Sequence, residues 1–473
     1  MIRRKIGLAI GPILFCAVFF GEPFDGLNVE ANAVLASTLW IATWWLSEAL
    51  PIAATALLPI ALLPLSGGAP IVQTTAAYGD KMLFLFVGGF IIAIAMQRWN
   101  LHRRIALEII AAIGTNARFI VLGFMLATGL LSMWISNTAT TLMMVTIGTA
   151  LIAEMKELTG ESGKMFFKAL LLGIAFSASI GGVATLVGTP TNPIFVSIAN
   201  QLYDEEISFA AWMAFALPFS LIMLALCWTV LTRLVFPLHK VAMPIGREMI
   251  LKEKEVLGKI SQEEKAVAIV FLTTAFLWIT RSFLLSKFIP GINDTVIAIA
   301  AALTMFIIPS KEKKGLPLLT WEEAEKLPWG VIILFGGGLS LAAAFQSSNL
   351  AEWLGLQLTG LSELPLFFII LIVALFVNFL TEVTSNVATA SIMLPVLASL
   401  AEAIGVHPFL LMIPATMAAS CAFMLPIATG PNAIVFSSGE LQMNDMVRAG
   451  VWLNIASSLL ISLLVYFVLP AFL

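Results

Sequence analysis

Residues 83–101 (LFLFVGGFIIAIAMQRWNL) and 332–350 (IILFGGGLSLAAAFQSSNL) are two copies of one pattern. A constant offset of 249 residues aligns them, and Gly88 matches Gly337. Each stretch is apolar over about the length that crosses ~30 Å of hydrocarbon as a helix. The chain therefore contains a duplicated, membrane-spanning element.

The same offset aligns a polar pentapeptide, SNTAT at 136–140, with SNVAT at 385–389. A third match, at offset 240, pairs residues 189–195 (TPTNPIF) with 429–436 (TGPNAIVF), with one gap. Chance similarity is common among apolar helices because their residue alphabet is small. A polar match at the same offset is much harder to obtain by chance, so we interpret the chain as an internal repeat.

Composition places the whole chain in a bilayer. It is 60% hydrophobic and 11% charged, with a mean hydropathy of +1.00. A soluble domain could not bury that much apolar surface. The formal net charge of -3 gives no sign of a nucleic-acid partner. We predict an all-α polytopic membrane protein.

Hydropathy predicts eleven transmembrane helices and two re-entrant hairpins. The spans are predicted near 6–22, 34–50, 51–66, 82–98, 166–198, 212–236, 266–286, 294–308, 329–347, 409–438 and 448–472. The hairpins, at 119–155 and 365–402, are each too long for one crossing and are interrupted by small polar residues. Spans 4 and 9 are repeat copies five crossings apart, so the two repeats are inverted, as in many secondary transporters.

The predicted organisation has four parts. An N-terminal segment with the first span (1–33) precedes inverted repeat 1 (34–236), which contains hairpin 119–155 and the broken helix 166–198. A cytoplasmic amphipathic linker (237–265) leads to inverted repeat 2 (266–473), which contains hairpin 365–402 and the broken helix 409–438.

The distribution of Lys and Arg predicts the orientation. With the N-terminus inside, only Lys81, Arg281 and Lys287 of the 25 Lys and Arg residues fall outside, so 22 lie inside. The N-terminus is therefore predicted inside and the C-terminus outside. Short termini without a targeting tail indicate the cytoplasmic (inner) membrane of a bacterium.

Each hairpin tip begins its second arm with Ser-Asn, and such residues favour helix N-termini. A helix that starts inside the membrane presents free N–H groups and the positive end of its dipole to an anion. Hydroxyl and amide oxygens at the same tips, with carbonyls freed by the breaks at 188–190 and 428–431, suit a hard cation such as Na⁺.

No Lys or Arg lies in the apolar centre of either hairpin or break. An anion held there needs helix N-termini and co-bound cations to offset its charge. The sequence therefore predicts that anion and cation binding are coupled.

Several alternatives remain open at this stage. Small polar residues also join helices in ordinary bundles. Glu382 is the one acid deep in a hairpin, and it is either functional or a hydrogen-bonded structural acid. A membrane-embedded enzyme would need a catalytic constellation, but the aspartates lie near span ends without a His or Cys partner. A channel is disfavoured by twin hairpins.

The motifs resemble those of the divalent anion/sodium symporter family, the sodium-dependent dicarboxylate transporters. The resemblance covers nearly the whole chain. It is carried by residues 43–59 (TWWLSEALPIAATALLP), by the twin motifs Ser136-Asn137-Thr138 and Ser385-Asn386-Val387, and by residues 420–435 (SCAFMLPIATGPNAIV).

The resemblance implies an elevator-type sodium symporter that works as a homodimer, with a scaffold domain, a mobile transport domain and no organic cofactor. It implies one cation site at Ser132, Ser136, Asn137 and Gly188, and a second at Thr381, Ser385, Asn386 and Ala428. The anion would contact Asn137, Thr138, Asn386, Val387, Thr429 and Gly430.

Two positions depart from the family pattern. Val387 replaces the usual Thr of the second motif, and Gly430 stands where Pro is common. The expected substrate, a small organic dianion, is a C4-dicarboxylate such as succinate, malate or fumarate. Citrate is second, sulfate is less expected, and anion exchange on the same fold is the alternative to symport.

Overall fold

The computed structural model describes residues 2–22, 24–114, 116–159, 163–238, 252–357 and 363–472. In those ranges the regular structure is helical, apart from one isolated antiparallel bridge between Pro309 and Pro317. The helices are α1 Ile2–Gly21, α2 Val29–Ser47, α3 Ile52–Thr55, α4 Leu58–Ser66, α5 Ile71–Ala76, α6 Lys81–Arg98, α7 Leu101–Ile113, α8 Ala117–Ser132, α9 Asn137–Thr159, α10 Lys164–Val183, α11 Thr191–Tyr203, α12 Phe209–Thr229, α13 Gln262–Thr280, α14 Asp294–Ile307, α15 Trp321–Ala324, α16 Trp329–Ser347, α17 Leu350–Gln357, α18 Leu366–Thr381, α19 Asn386–Ala403, α20 Phe409–Ala418, α21 Gly430–Phe436 and α22 Met443–Phe467.

Within the described ranges, eight helical segments are long and apolar enough to cross a membrane, and five apolar helices are shorter. The most enclosed of the eight is α10, in which 94% of the residues in the apolar segment are buried. The most peripheral is α1, whose Arg4–Gly21 segment is 17% buried. A membrane helix surrounded by protein on all sides is free to carry polar residues, because no lipid touches it. The predicted number of eleven spans stays a prediction.

The helix boundaries differ from the expected spans in several places. The span predicted at 51–66 is split into α3 and α4, because Pro51 precedes the first helix and Pro59 lies in the first turn of the second. Helices α5, α7 and α17 occupy stretches that were expected to be loops.

The two expected hairpins are helix pairs with short interruptions. α8 ends at Ser132 and α9 begins at Asn137, while α18 ends at Thr381 and α19 begins at Asn386. The two expected broken helices are also interrupted, at residues 184–190 between α10 and α11, and at 419–429 between α20 and α21. The core around α10 brings these interruptions together, since α10 packs on α8, α9 and α21.

Part of the predicted linker, residues 239–251, lies outside the described residues. Residues 252–261 pack against α7 through charged pairs. Lys254 Nζ contacts Glu108 at 2.7 Å, and Arg103 is paired with Glu253. Arg104 forms a bidentate pair with Glu264 at 3.0 Å and donates to the Gly258 carbonyl, so the end of the predicted linker is tied to α7 of the first repeat.

Candidate functional site

A buried asparagine closes the first helix break. The Asn192 side chain is fully buried, and its Nδ2 donates to the carbonyl oxygens of Gly182 (3.3 Å), Val183 (3.1 Å) and Thr185 (2.7 Å). These carbonyls have lost their helical partners because α10 ends here. Asn192 therefore holds the break in shape.

A buried asparagine closes the second helix break in the same way. Asn432 is also fully buried, and its Nδ2 donates to the carbonyl oxygens of Ala422 (3.1 Å) and Leu425 (3.0 Å). Asn192 and Asn432 are matched by the offset-240 repeat. The sequence analysis aligned these two residues without giving them a role, and the structure shows what the match preserves.

The hairpin tips also correspond between repeats. Ser132 Oγ lies 2.5 Å from the side-chain amide of Asn137. In the second repeat, Thr381 Oγ1 donates to Asn386 Oδ1 at 2.8 Å. Ser132 and Thr381 are fully buried, whereas the two asparagines are partly exposed. Each pair therefore connects a buried hydroxyl to an accessible amide.

The interruptions enclose a cavity of about 620 Å³. All six residues expected to contact the anion line it: Asn137, Thr138, Asn386, Val387, Thr429 and Gly430. Six of the eight residues expected at the cation sites line it as well: Ser136, Asn137, Gly188, Ser385, Asn386 and Ala428. Ser132 and Thr381 lie behind the lining, in hydrogen-bond distance of the two asparagines.

The opposite wall of the cavity is mostly apolar. It is formed by Ile52, Phe86, Phe90 and Val331, with Pro328 beside them. Among the described residues that line the cavity, Glu48 is the single charged side chain, and none is Lys, Arg or His. Apart from the carboxylate of Glu48, the electrostatics of the cavity are thus set by dipoles and neutral oxygens.

The two repeats touch directly at the cavity. Gly430 faces the side chain of Thr138, and a β-carbon on Gly430 would overlap its hydroxyl. On the far side of the lining, Thr191 Oγ1 and Ser420 Oγ are 2.7 Å apart, which joins the two breaks. Val387 is 7% exposed and presents methyl groups where a Thr would present a hydroxyl.

Glu382 does not line the cavity. Its Oε1 accepts from the backbone N–H groups of Phe423 (2.7 Å) and Met424 (2.8 Å) and from Asn454 Nδ2 (2.7 Å), and its Oε2 accepts from the N–H of Leu425 (2.9 Å). A buried carboxylate that accepts several N–H bonds is well stabilised. The structure therefore favours the structural interpretation of Glu382.

In the first repeat, the hydroxyl of Thr185 links the helix break to the hairpin tip, as the carboxylate of Glu382 does in the second repeat. Thr185 Oγ1 donates to the carbonyl of Met133 at 2.5 Å and accepts from the N–H of Gly188 at 3.1 Å. The sequence analysis missed Thr185, Ser420 and Asn454. Small polar residues in apolar runs are common helix contacts, so nothing local marked these three.

The donors and acceptors around the cavity suit two charges of opposite sign. Hydroxyl, amide and carbonyl oxygens are ligands of hard cations. Helices α9 and α19 both begin at the cavity, so their first N–H groups and the positive ends of their dipoles favour an anion there. No group of three or more His, Cys, Asp or Glu side chains in the described ranges is arranged to hold a metal ion.

Comparisons with known proteins agree with this architecture. The family model for the sodium:sulfate symporter transmembrane region matches residues 4–469. The chain is 47% identical over 477 residues to the sodium-dependent dicarboxylate transporter SdcS of Staphylococcus saprophyticus, covering 99% of this chain and 92% of that protein. It is 47% identical over 476 residues to SdcS of Staphylococcus aureus, covering 99% of this chain and 91% of that protein.

Two solved structures share the fold at low sequence identity. The YdaH transporter of Alcanivorax borkumensis superposes with a TM-score of 0.62 at 15% identity, over 91% of this chain and 98% of that one. The antimetabolite efflux pump MtrF of Neisseria gonorrhoeae gives a TM-score of 0.57 at 13% identity, over 84% of each chain. The predicted all-α polytopic membrane fold is confirmed.

The predicted family is confirmed by a model match that spans nearly the whole chain and by relatives of almost equal length. The enzyme alternative is excluded, because this family and its relatives are transporters. The chain therefore belongs to the sodium:sulfate symporter transmembrane family, the divalent anion/sodium symporters, and is a multi-pass membrane transporter.

Proposed function

We propose that this protein is a sodium-coupled symporter that imports C4-dicarboxylates such as succinate, malate and fumarate. The observation that carries the proposal is the cavity of about 620 Å³, where both hairpin tips and both helix breaks meet without a basic side chain among the described lining residues. The SdcS relatives are named sodium-dependent dicarboxylate transporters, which supports the same conclusion.

Electrostatics explain the coupling. A dianion that leaves water for this cavity loses its hydration, and a buried charge is costly unless it is compensated. The N-termini of α9 and α19 offset part of that cost. Cations bound beside the anion offset the rest, so loading the anion together with its cations leaves the net charge of the site almost unchanged. A half-loaded site carries an uncompensated charge and is disfavoured.

The cations have a place in each repeat. We assign the first to Ser132, Ser136, Asn137 and Gly188. We assign the second to Thr381, Ser385, Asn386 and Ala428. Each set combines hydroxyl, amide and carbonyl oxygens at a point where a helix is interrupted, which is how discontinuous helices in other secondary transporters hold Na⁺.

The anion lies between the two cation sites. Its carboxylates would be met by Asn137, Thr138, Asn386 and Thr429, with Val387 and Gly430 shaping the cavity. Val387 adds methyl groups and no donor, so that side of the cavity suits the carbon chain of a dicarboxylate better than a fully hydrated sulfate.

Transport would follow an elevator-like course. The polar half of the cavity is carried by the hairpins and broken helices, while the facing wall of Ile52, Phe86, Phe90 and Val331 is apolar. An apolar wall makes no directional bonds, so the polar half can slide past it. The homodimer, the scaffold and transport domains, the inner-membrane location and the N-inside, C-outside orientation all belong to this proposal.

The test is uptake of radiolabelled succinate by liposomes that contain the purified protein, with and without an inward Na⁺ gradient. Empty vesicles and vesicles preloaded with unlabelled succinate are compared. Gradient-driven uptake into empty vesicles establishes symport, and Asn137→Ala and Asn386→Ala should each abolish it.

Uptake that ignores Na⁺ and requires internal succinate would show exchange and refute the cation sites. If succinate is not taken up, uptake of radiolabelled citrate and of radiolabelled sulfate is measured in its place. Uptake driven by either of them would retain the symport mechanism and reject the C4-dicarboxylate assignment.

A further inference from the structure

Three oxygen atoms surround one terminal atom of the Asn137 amide. They are Ser132 Oγ at 2.5 Å, the Ala178 carbonyl at 3.1 Å and the Gly188 carbonyl at 3.2 Å. Two of these are carbonyls, which can only accept, so the atom that satisfies them is the amide nitrogen. The Asn137 nitrogen thus donates into the oxygens of the first cation site.

The second repeat is arranged differently. Thr381 Oγ1 donates to Asn386 Oδ1 at 2.8 Å and also lies 3.0 Å from the carbonyl of Ala419. The oxygen of this amide therefore faces the buried hydroxyl. Related asparagines at the two tips present opposite ends of their amides to the interior.

We propose that the Asn137 amide nitrogen takes the place of the cation in the sodium-free first site, and that Na⁺ binds by turning the amide so that Oδ1 faces the ion. The Ala178 carbonyl then becomes a further cation ligand, beyond the residues that we assigned above. The second site needs no such turn, because Asn386 Oδ1 already faces inward. This inference rests on the proposed sodium coupling.

The surroundings leave room for the turn. Gly182 faces the amide, and a β-carbon there would lie 2.6 and 2.9 Å from its two terminal atoms. A residue with a side chain at this position would therefore restrict the amide. Ser132 Oγ can serve either orientation, because a hydroxyl both donates and accepts.

The Asn137 amide nitrogen would stabilise the first site when no cation is bound. Without the amide nitrogen, the Ala178 and Gly188 carbonyls would point at the same space without its N–H bonds when the ion is absent, and buried acceptors with too few donors destabilise a structure. With the nitrogen in place, the site without Na⁺ is hydrogen-bonded and rigid. A cation can then enter only if its binding is more favourable than the N–H bonds that it replaces. The amide is an internal competitor of Na⁺.

The test compares Asn137→Asp with the matched variant Asn386→Asp in the full-length protein in detergent. Thermal midpoints are measured at pH 8 in choline chloride and in NaCl, without any substrate. Aspartate cannot donate as an amide does, so Asn137→Asp should lower the midpoint without Na⁺ by about 4 °C, because hydrogen bonds to the three oxygens are lost. Asn386→Asp adds the same charge but retains the oxygen that accepts from Thr381, so its midpoint without Na⁺ should fall clearly less than that of Asn137→Asp.

Adding Na⁺ should reverse the difference in thermal midpoint between the two aspartate variants. The rise in midpoint on adding NaCl should be larger for Asn137→Asp than for Asn386→Asp, which carries the same added charge. Asn137→Asp should also reach half of its rise at a Na⁺ concentration at least about fivefold lower, since the internal competitor is gone. Equal midpoints for the two aspartate variants without Na⁺ would overturn this inference while leaving sodium coupling intact. A parent protein whose midpoint does not respond to Na⁺ would instead refute the proposed function.

Discussion

Thr138, at the tip of the first hairpin, lies directly against Gly430, the first residue of α21 in the second repeat. The two residues are 292 positions apart in the chain, from 138 to 430. Their contact brings the two halves of the cavity to within van der Waals distance. It also explains why position 430 holds a glycine here: any side chain would overlap the threonine.

Replacing Gly430 with Ala should disrupt the cavity. The added methyl forces Thr138 away, and overpacking of this kind costs ~1–3 kcal/mol. We expect succinate uptake to fall by about tenfold or more, since 1.4 kcal/mol is a factor of ten. Gly79→Ala is the control, because a β-carbon on Gly79 meets nothing within 4 Å.

A second substitution separates crowding from other causes. Thr138→Ala removes the hydroxyl and methyl that the new β-carbon would strike, leaving the Thr138 β-carbon 3.3 Å away. Gly430→Ala should also reduce the rise in thermal midpoint on adding Na⁺, and the double variant should recover at least part of that rise. No recovery would mean that Gly430 is required for another reason, such as its backbone conformation.

Replacing Glu382 with Gln should weaken the fold without changing the cation response. Its carboxylate accepts four N–H bonds, and a Gln offers one oxygen and turns an NH₂ group toward a donor. We expect a loss of ~2–4 kcal/mol in unfolding free energy, from unsatisfied buried groups. The rise in thermal midpoint with Na⁺ should be unchanged.

Glu325→Gln is the control for that experiment, because Glu325 is exposed. A Glu382→Gln protein of normal stability that no longer responds to Na⁺ would contradict the structural role. It would make Glu382 part of the coupling mechanism.

Replacing Glu48 with Gln should strengthen anion binding. Glu48 is the single charged side chain among the described residues that line the cavity, and it has the same sign as a dicarboxylate. Removing repulsion across a partly hydrated cavity is worth ~0.5–1.5 kcal/mol, so the apparent KM for succinate should fall about two- to tenfold. Uptake is measured at saturating Na⁺.

The substitution leaves the backbone alone, which matters because Glu48 has a φ of +50° and Gln tolerates that conformation as Glu does. Glu30→Gln in the first turn of α2 serves as the control, since Glu30 is exposed. A KM that stays the same, or rises, for Glu48→Gln would show that this carboxylate does not face the substrate.

Low pH should weaken the hydrogen bonds between Glu263, at the predicted cytoplasmic end of α13, and the turn at residues 310–312. Glu263 Oε1 accepts from the N–H groups of Glu312 (2.9 Å) and Lys311 (2.8 Å) and from Ser310 Oγ (3.1 Å). These bonds, led by the one from Glu312, lower the pKa of Glu263 from 4.5 to about 2. The bonds are therefore at full strength above pH 4.5, and their contribution is lost as the pH falls toward 2.

The parent protein should be more stable than Glu263→Gln at neutral pH, and the difference in thermal midpoint should shrink steadily below pH 4.5. Glu325→Gln, at an exposed position, is the comparison. A difference between parent and Glu263→Gln that is constant from pH 7 to 3.5 would show that the charge on Glu263 is not what holds the 310–312 turn.

The sequence predicted helix starts and helix breaks well, because these depend on residues that are close together in the chain. Helices α9 and α19 both begin at the predicted Ser-Asn pairs, but Ser136 accepts a capping bond from the N–H of Ala139 (3.2 Å) whereas Ser385 makes no side-chain capping bond. The polar breaks in apolar runs were evident in the sequence. Helix α7 was missed although its pattern was visible: Ala106, Leu107 and Ile110 are buried on one face. A loop rich in Arg was assumed to be irregular, and its amphipathic spacing was overlooked.

The sequence by itself indicated an all-α membrane protein, predicted an internal repeat and showed which polar motifs interrupt the helices, because hydropathy and capping depend on neighbouring residues. It also indicated the transporter family, through motifs that resemble those of its members. Only the tertiary structure decided that Thr138 meets Gly430, that Glu382 holds the 423–425 backbone, and that Ala178 and Gly188 aim their carbonyls at Asn137. Those relationships depend on how helices distant in the chain pack, and on the direction in which each hydrogen-bonding group then points.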